Sequence, residues 1–200
     1  MKLVTFEEYT EENENLITTA TSDWIDVRRV ERFSIEAIAD VNTPAATDFE
    51  PADVTVAANT ITETAHGYTT GLKGQFTTVT TLPAGLSLAT DYFVIVVDAN
   101  TYKVATNLAN ALAGTAVDIT DQGVGTHTFT PTALAGGAIK LQKSNDQVNV
   151  ADVAAATNIT ADGTVWFEVS APAYSWVRRH VTLTAGRLSL TENVVVKGYV

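Results

Sequence analysis

Residues 91–114, DYFVIVVDANTYKVATNLANALAG, contain the signals of a small, complete structural unit in the middle of a 200-residue chain. The run Phe93–Val97 is rich in aromatic and β-branched residues, which is typical of a strand. Asp98–Thr101 predicts a tight turn before a second strand, because Asp and Asn side chains hydrogen-bond their own backbone. The next segment predicts one or two helical turns that end at Gly114. The unit is either an elaborate loop of one β domain or part of a module inserted into a larger one.

The residues around this unit favour an inserted module. Strand patterns occur around Thr60–Ala65 and Gly74–Val79, and the segments AVDIT (116–120) and THTFTP (126–131) predict closing strands that return the chain to where it left. The composition also changes here, since the stretch is rich in Thr, Ala and Gly, and all six arginines lie outside it. We therefore predict a β-module at residues 54–131, inserted into a domain formed by residues 1–53 and 132–200.

The outer residues predict an antiparallel β-sandwich, so the predicted fold class is all-β. One parity is shared by Ile25, Val27, Phe33, Ile35, Ala37 and Ala39, and a break at Arg29 and Glu31 indicates two strands or one bulged strand. The connector NTPAATDFEPAD (42–53) predicts a loop.

The second half of the outer domain supplies further strands. It predicts a hairpin with its turn at Ser144–Asp146, the alternating strand TVWFEVS (164–170), and two or three strands with turns at Ala185-Gly186 and Glu192-Asn193. Together these segments give six or more antiparallel strands, which is enough for a sandwich.

Charge and composition restrict the partners. A formal net charge of −11 argues against a nucleic-acid partner, because binding phosphates needs clustered Lys and Arg. The N-terminus lacks the pattern of a secretory signal, and the apolar runs are far shorter than the roughly 18 to 20 residues that span a bilayer. We expect a soluble protein with no membrane partner.

Enzyme and metal chemistry are not indicated. The chain has no cysteine, and His66, His127 and His180 are too far apart in sequence to suggest a zinc site. Ser, His and Asp are present, but no nucleophile motif accompanies them. No glycine-rich phosphate loop follows a strand and opens a helix. We therefore expect no catalytic residue, no cofactor and no metal.

The middle of the chain resembles a module that recurs in structural proteins of tailed-bacteriophage virions. The motif elements that carry the resemblance are His66-Gly67, Thr70-Gly71, Leu82–Leu86, Asp91–Val97, Asp98–Thr101, Ala111–Gly114 and Gly125–Phe129, and the resemblance covers roughly a third of the chain. The outer segments also resemble β-sandwich domains appended to phage heads and tails. This sequence differs from such modules at residues 71–76, which read GLKGQF where the modules often carry an acidic residue. No role of that acidic residue is therefore expected in this chain.

The resemblance implies a non-enzymatic structural protein located in the virion, which is assembled in the host cytoplasm. Its partners would be copies of itself and other virion proteins. Decoration, adaptor and tail-associated roles all fit, and the family does not single out one of them.

Aromatic residues leave a second function open. Trp166 has the opposite parity from Val165 and Phe167, so it faces either solvent or a neighbouring subunit. Exposed, flat aromatic rings would suit a carbohydrate-binding or host-recognition module that binds a host surface glycan. A hydrolase would instead need an acid and a base that converge in a cleft.

Two groups of charged residues are candidates for contacts between subunits. One interpretation of the arginines is a set of weak cross-strand ion pairs at the surface. The other is that they bind the acidic N-terminal arm of a neighbouring copy, whose apolar side chains add burial. The candidate contact residues are Phe6, Tyr9, Glu11, Glu12, Arg28, Arg29, Arg178 and Arg179.

Overall fold

The computed structural model describes the backbone of residues 3–28, 32–41, 43–170 and 172–199, and the side-chain surroundings of residues 16–28, 32–41, 43–169 and 172–195. The strands are β1 (Leu3–Leu16), β2 (Ala20–Thr21), β3 (Ile25–Asp26), β4 (Arg32–Asp40), β5 (Thr47–Phe49), β6 (Val54–Thr55), β7 (Thr60–Thr62), β8 (Lys73–Thr78), β9 (Tyr92–Asp98), β10 (Thr101–Ala105), β11 (His127–Pro131), β12 (Ala138–Ser144), β13 (Ala151–Asp152), β14 (Thr157–Asn158), β15 (Gly163–Ser170), β16 (Trp176–Thr182) and β17 (Leu188–Tyr199). The helices are α1 (Leu108–Leu112) and the 3-10 turns Pro51–Asp53 and Val56–Ala58. The prediction of an all-β, antiparallel fold is confirmed.

The chain divides into two compact units. Unit 1 comprises Met1–Asn42 and Leu134–Val200, and unit 2 comprises Thr43–Ala133. The first boundary lies earlier than residue 54, because β5 pairs with β11 and sets Thr47 opposite Phe129. The predicted loop at residues 42–53 therefore contains a strand of unit 2. This pairing also brings the first and last strands of unit 2 side by side.

Unit 1 is a sandwich of two antiparallel sheets. Sheet A has the strand order β1-β17-β4-β15. Sheet B has the order β13-β12-β16-β2, with β14 beside β12 and β3 beside β16. Because side chains alternate between the two faces of a strand, each sheet turns one apolar row toward the other.

Two clusters of buried residues join the sheets. One cluster packs Ala37, Ala39, Leu188 and Leu190 of sheet A against Ile139 and Val181 of sheet B. The other packs Phe33, Ile35 and Val194 of sheet A against Ile25, Leu141 and Val177 of sheet B.

The predicted turns of unit 1 have different outcomes. The turn at Ser144–Asp146 is confirmed, and Asp146 Oδ1 accepts hydrogen bonds from the backbone N–H of Val148 and Asn149. The predicted turn at Glu192-Asn193 is wrong, because both residues lie inside β17. Glu192 occupies an inward-facing position there, where it forms an ion pair with Arg179.

Unit 2 is one antiparallel sheet with the strand order β5-β11-β8-β9-β10-β7-β6. The Thr47 hydroxyl on β5 donates a hydrogen bond to Glu63, which follows β7 directly. This contact joins the first strand of the order to the residue that follows its second-to-last strand, so the sheet curls onto itself. Its core is aromatic, with Phe49, Phe76, Tyr102 and Phe129 fully buried.

The quoted stretch at residues 91–114 folds as the sequence predicts. β9 and β10 form a hairpin in which Asp98 Oδ1 accepts a hydrogen bond from the backbone N–H of Asn100. Helix α1 follows, with the Asn107 side chain capping its N-terminus and Gly114 at a φ of 73° after its end. The predicted strand at residues 116–120 is wrong, because this segment has no strand pairing.

Candidate interaction surface

The outer face of sheet A exposes one large aromatic residue. β15 pairs with β4 without interruption from Gly163 opposite Ala39 to Ser170 opposite Arg32. Val165 and Phe167 face the core, so Trp166 between them faces outward and is 64% exposed. From its parity in the sequence, Trp166 was predicted to face either solvent or a neighbouring subunit. Its ring is exposed in the structure.

A shallow groove of about 300 Å³ lies beside this ring. Two of its lining residues, Arg32 and Glu168, form an ion pair. On the same face, Asn193 Nδ2 donates a hydrogen bond of 2.8 Å to Glu36 Oε2, and Glu36 lies directly opposite Trp166. The groove is lined by Arg32, Phe33, Ser34, Trp166, Glu168 and Val195.

The other two tryptophans lie under arginine side chains. The Arg178 guanidinium is 4.4 Å from the ring centre of Trp24, and the Arg28 guanidinium is 5.0 Å from that of Trp176. Such contacts are favourable because the ring face is negative. Each of these rings therefore has an arginine over one face, which leaves Trp166 as the most exposed of the three.

The arginines of this region are held by groups of their own chain. Arg178 Nε donates to Gln142 Oε1 over 2.9 Å, and Arg28 forms an ion pair with Asp26. The Asp26 carboxylate raises the pKa of Arg28, so this guanidinium stays charged.

His180 shares the outer face of sheet B with Lys140, which lies opposite it on β12. Its pKa is lowered by partial burial and by the positive charges of Lys140 and Arg178. The imidazole is therefore mainly neutral near pH 7.

Arg179 faces the opposite way, into the sandwich. Its Nε lies 2.8 Å from Glu192 Oε1, and the two residues are 2% and 4% exposed. Arg179 alternates with Val177 and Val181 along β16, and Glu192 alternates with Leu190 and Val194 along β17, so the pair lies between the two apolar clusters. Arg179 is one of the four arginines that were candidates for contacts between subunits, but its side chain is buried within its own unit.

The N-terminal arm is a strand of sheet A. β1 pairs with β17 from Leu3 opposite Tyr199 to Leu16 opposite Leu188. The side chains of Phe6, Tyr9, Glu11 and Glu12 lie outside the described residues, and so does the whole of Arg29. A contact between these groups and a neighbouring subunit stays a prediction.

Unit 2 holds a buried polar cluster that the sequence analysis missed. Glu63 is buried and accepts hydrogen bonds from the hydroxyls of Thr47, Tyr68 and Tyr102. Burial raises its pKa, although these hydrogen bonds oppose the shift. His66 completes the cluster by stacking on Tyr68 at 4.8 Å between ring centres. No local pattern signals this cluster, because Thr47 and Tyr102 are distant in sequence.

Two hydrogen bonds orient the histidine of this cluster and fix its tautomer. His66 Nδ1 accepts a hydrogen bond from the Tyr68 backbone N–H, so the proton sits on Nε2, which donates to the Asp98 carbonyl over 3.1 Å. The His-Gly element of the resemblance therefore ties the end of the β9–β10 hairpin to the segment that follows β7.

Within the described residues, no three His, Asp or Glu side chains are grouped so that they could hold a metal ion. The helices described there are also too short to cross a bilayer.

Comparison of the chain with protein-family models gives no match, and comparison with curated proteins gives none either. The resemblance to phage virion modules therefore rests on the motif residues of the sequence alone.

Proposed function

We propose that this chain is a non-enzymatic structural subunit of a tailed-phage or prophage virion, an accessory protein that works through protein–protein contacts. Decoration, adaptor and tail-associated positions are all compatible with this proposal. Other virion proteins and further copies of the chain are its partners.

The motif residues support the proposal because unit 2 depends on them. Gly85, in the LPAGL element, has a φ of 104°, and a Cβ there would lie 2.1 Å from the Asp118 carbonyl oxygen. Only glycine fits such a position. The other elements likewise occupy turns, with Gly67, Gly71, Gly114 and Gly125 all at positive φ. The resembling residues are thus those that set the path of the chain.

One observation carries the contact role: the exposed Trp166 at an edge of sheet A. An exposed tryptophan costs solubility unless something covers it, and aromatic residues are enriched in the centres of protein interfaces. Its neighbours Arg32 and Glu168 supply a polar rim. Such a combination is typical of a protein-binding surface.

The test uses particles of the phage, or of the induced prophage, whose genome encodes the chain. The particles are purified on a density gradient, and the chain is quantified by mass spectrometry. We expect it at a fixed ratio to the major capsid or tail protein. Trp166→Lys should lower this ratio, whereas Val148→Lys, which places the same charge at another exposed apolar position, should not. Absence of the chain from particles would contradict the proposal.

The second candidate function is glycan binding by a host-recognition module. The observation that favours it is the exposed Trp166 ring above a groove with polar side chains. Against it, Trp24 and Trp176 carry arginine side chains and add no second open ring. Calorimetric titration with host surface polysaccharide would reveal such binding, and Trp166→Ala should abolish it.

A further inference from the structure

The sheet edges of this chain differ in how they are protected. An unpaired edge strand offers free N–H and C=O groups, and proteins usually protect it by short length, charge or β-bulges. In sheet B and in unit 2, the described edge strands have two or three residues. Only the two edges of sheet A are long.

The two long edges are not alike. β1 carries five glutamates in 14 residues, and its pairing with β17 is interrupted by two register shifts. β15 has eight residues, GTVWFEVS, with one charged residue and no proline, and its pairing with β4 has no shift. Within the described part of the chain, β15 is therefore the one long edge that lacks protection against pairing.

The inward-facing side of β15 is also incompletely covered. Val165, Phe167 and Val169 pack against the core clusters but stay only partly buried. These three side chains stay partly exposed because β15 lies at the edge of sheet A and has no neighbouring strand on its free side. A further strand at this edge would complete the core.

We propose that β15 pairs antiparallel with β15 of a second copy, about a two-fold axis at Phe167. The strand is self-complementary in this register: Phe167 meets its own counterpart, and Val165 meets Val169. On the outer face, Trp166 of each copy lies opposite Glu168 of the other, next to the ion pair of Glu168 with Arg32. Sheet A of the two copies then forms one continuous sheet.

Charge favours a second copy of β15 over the other edge of sheet A. Glu168 is the only charged residue of β15, and in this register it meets no like charge. Pairing through β1 would set glutamates close to glutamates, which is destabilising. A contact between identical strands about a two-fold axis also gives a C2 dimer, the commonest symmetry of soluble oligomers.

This inference rests on the proposed contact function and names its partner. Sedimentation velocity of the full chain should show a concentration-dependent dimer. Trp166→Glu should weaken the dimer by about tenfold or more, since it sets a glutamate opposite Glu168 of the other copy at both ends of the contact, and like charges directly opposite are destabilising. Val148→Glu is the matched control and should leave the dimer unchanged. Circular dichroism verifies that both variants are folded.

A second measurement does not depend on the glutamate variant. The chain has no cysteine, so single cysteines report on the register. Directly opposed residues of paired strands have Cβ atoms about 4.5–5.5 Å apart. A mixture of Trp166→Cys and Glu168→Cys chains should therefore form a mixed disulfide dimer under mild oxidation, well above the level reached with Val148→Cys in place of either.

Three results would overturn the inference: a wild-type chain that is monomeric at about 0.1 mM, equal dimer affinity of the two glutamate variants, or no excess of the mixed disulfide. A monomer that still joins particles would overturn the β15 contact and leave the proposed function in place. A dimer that is absent from particles would support the contact and contradict the function.

Discussion

Replacing Glu192 with leucine should strongly destabilise unit 1, because it removes one half of the ion pair between the two core clusters. Arg179 and Glu192 lie on different sheets, 2.8 Å apart at their closest atoms, and both are buried. The single variant leaves the guanidinium inside the sandwich without its carboxylate. A buried charge that loses its partner is far more costly than a pair that is removed together.

The expected magnitude follows from this difference. Breaking a buried pair costs about 3–5 kcal/mol, whereas replacing both partners by apolar residues is often neutral or stabilising by about 1–4 kcal/mol. Glu192→Leu should therefore lose about 3–5 kcal/mol of unfolding free energy, and the double variant Arg179→Met/Glu192→Leu should recover most of it. With a urea slope of about 2 kcal/mol per M, the midpoint of the single variant falls by roughly 1.5–2.5 M.

The tryptophans make the assay specific for unit 1. Trp24, Trp166 and Trp176 all belong to this unit, and the sequence from Thr43 to Ala133 has none. Tryptophan fluorescence during urea unfolding therefore follows unit 1 alone. Asp152→Leu is a suitable control, since it breaks the surface ion pair with Lys140 and should cost no more than about 1 kcal/mol.

Two results would refute this reasoning. One is a Glu192→Leu variant whose stability lies within about 1 kcal/mol of the wild type, which would mean that the guanidinium finds water or another acceptor at little cost. The other is a double variant as unstable as the single one, which would mean that leucine fails to pack at this position.

Two predictions concern unit 2, and near-UV circular dichroism of its tyrosines follows both. Burial raises the pKa of Glu63 above the ordinary 4.5, so just above pH 4.5 the folded state keeps a proton that the unfolded chain has released. The stability of unit 2 should therefore fall as the pH rises from 4.5 through the raised pKa. The variant Glu63→Gln should remove this fall. An unchanged pH profile in the variant would contradict this. Gly74→Ala should cost about 1–3 kcal/mol, because its Cβ would lie 2.4 Å from a ring carbon of Phe129; an unchanged urea midpoint would show that the ring moves aside freely.

Local signals predicted those parts of the fold that local interactions determine. The β9–β10 turn forms because Asp98 hydrogen-bonds the backbone two residues on. Helix α1 begins where Asn107 Oδ1 accepts from the Asn110 N–H. The alternation in β15 correctly placed Trp166 on the outer face. In each case the deciding partner lies within a few residues.

The failures occur where the partner is distant. Glu192-Asn193 has turn-forming residues, but Arg179 on the other sheet holds Glu192 inside a strand. β5 has only three residues, and its partner β11 comes about 80 residues later. The charged arm has the composition of a solvated tail, yet it pairs with β17 at the opposite end of the chain. No local pattern contains these pairings.

Sheet order also explains why the candidate surface could be predicted only in part. Parity shows that Trp166 faces away from the core. Whether β15 is an edge strand depends on which strands pair, and those pairings link residues more than 100 positions apart.

Unit 2 enters after β4 of sheet A and leaves before β12 of sheet B, so it occupies a connection between the sheets and interrupts no strand of unit 1. Its own first and last strands, β5 and β11, are paired, which lets it close on itself. The insertion therefore removes no strand pairing from sheet A. Within sheet A, β17 lies between β1 and β4, so β15 pairs with β4 on one side and remains at the edge.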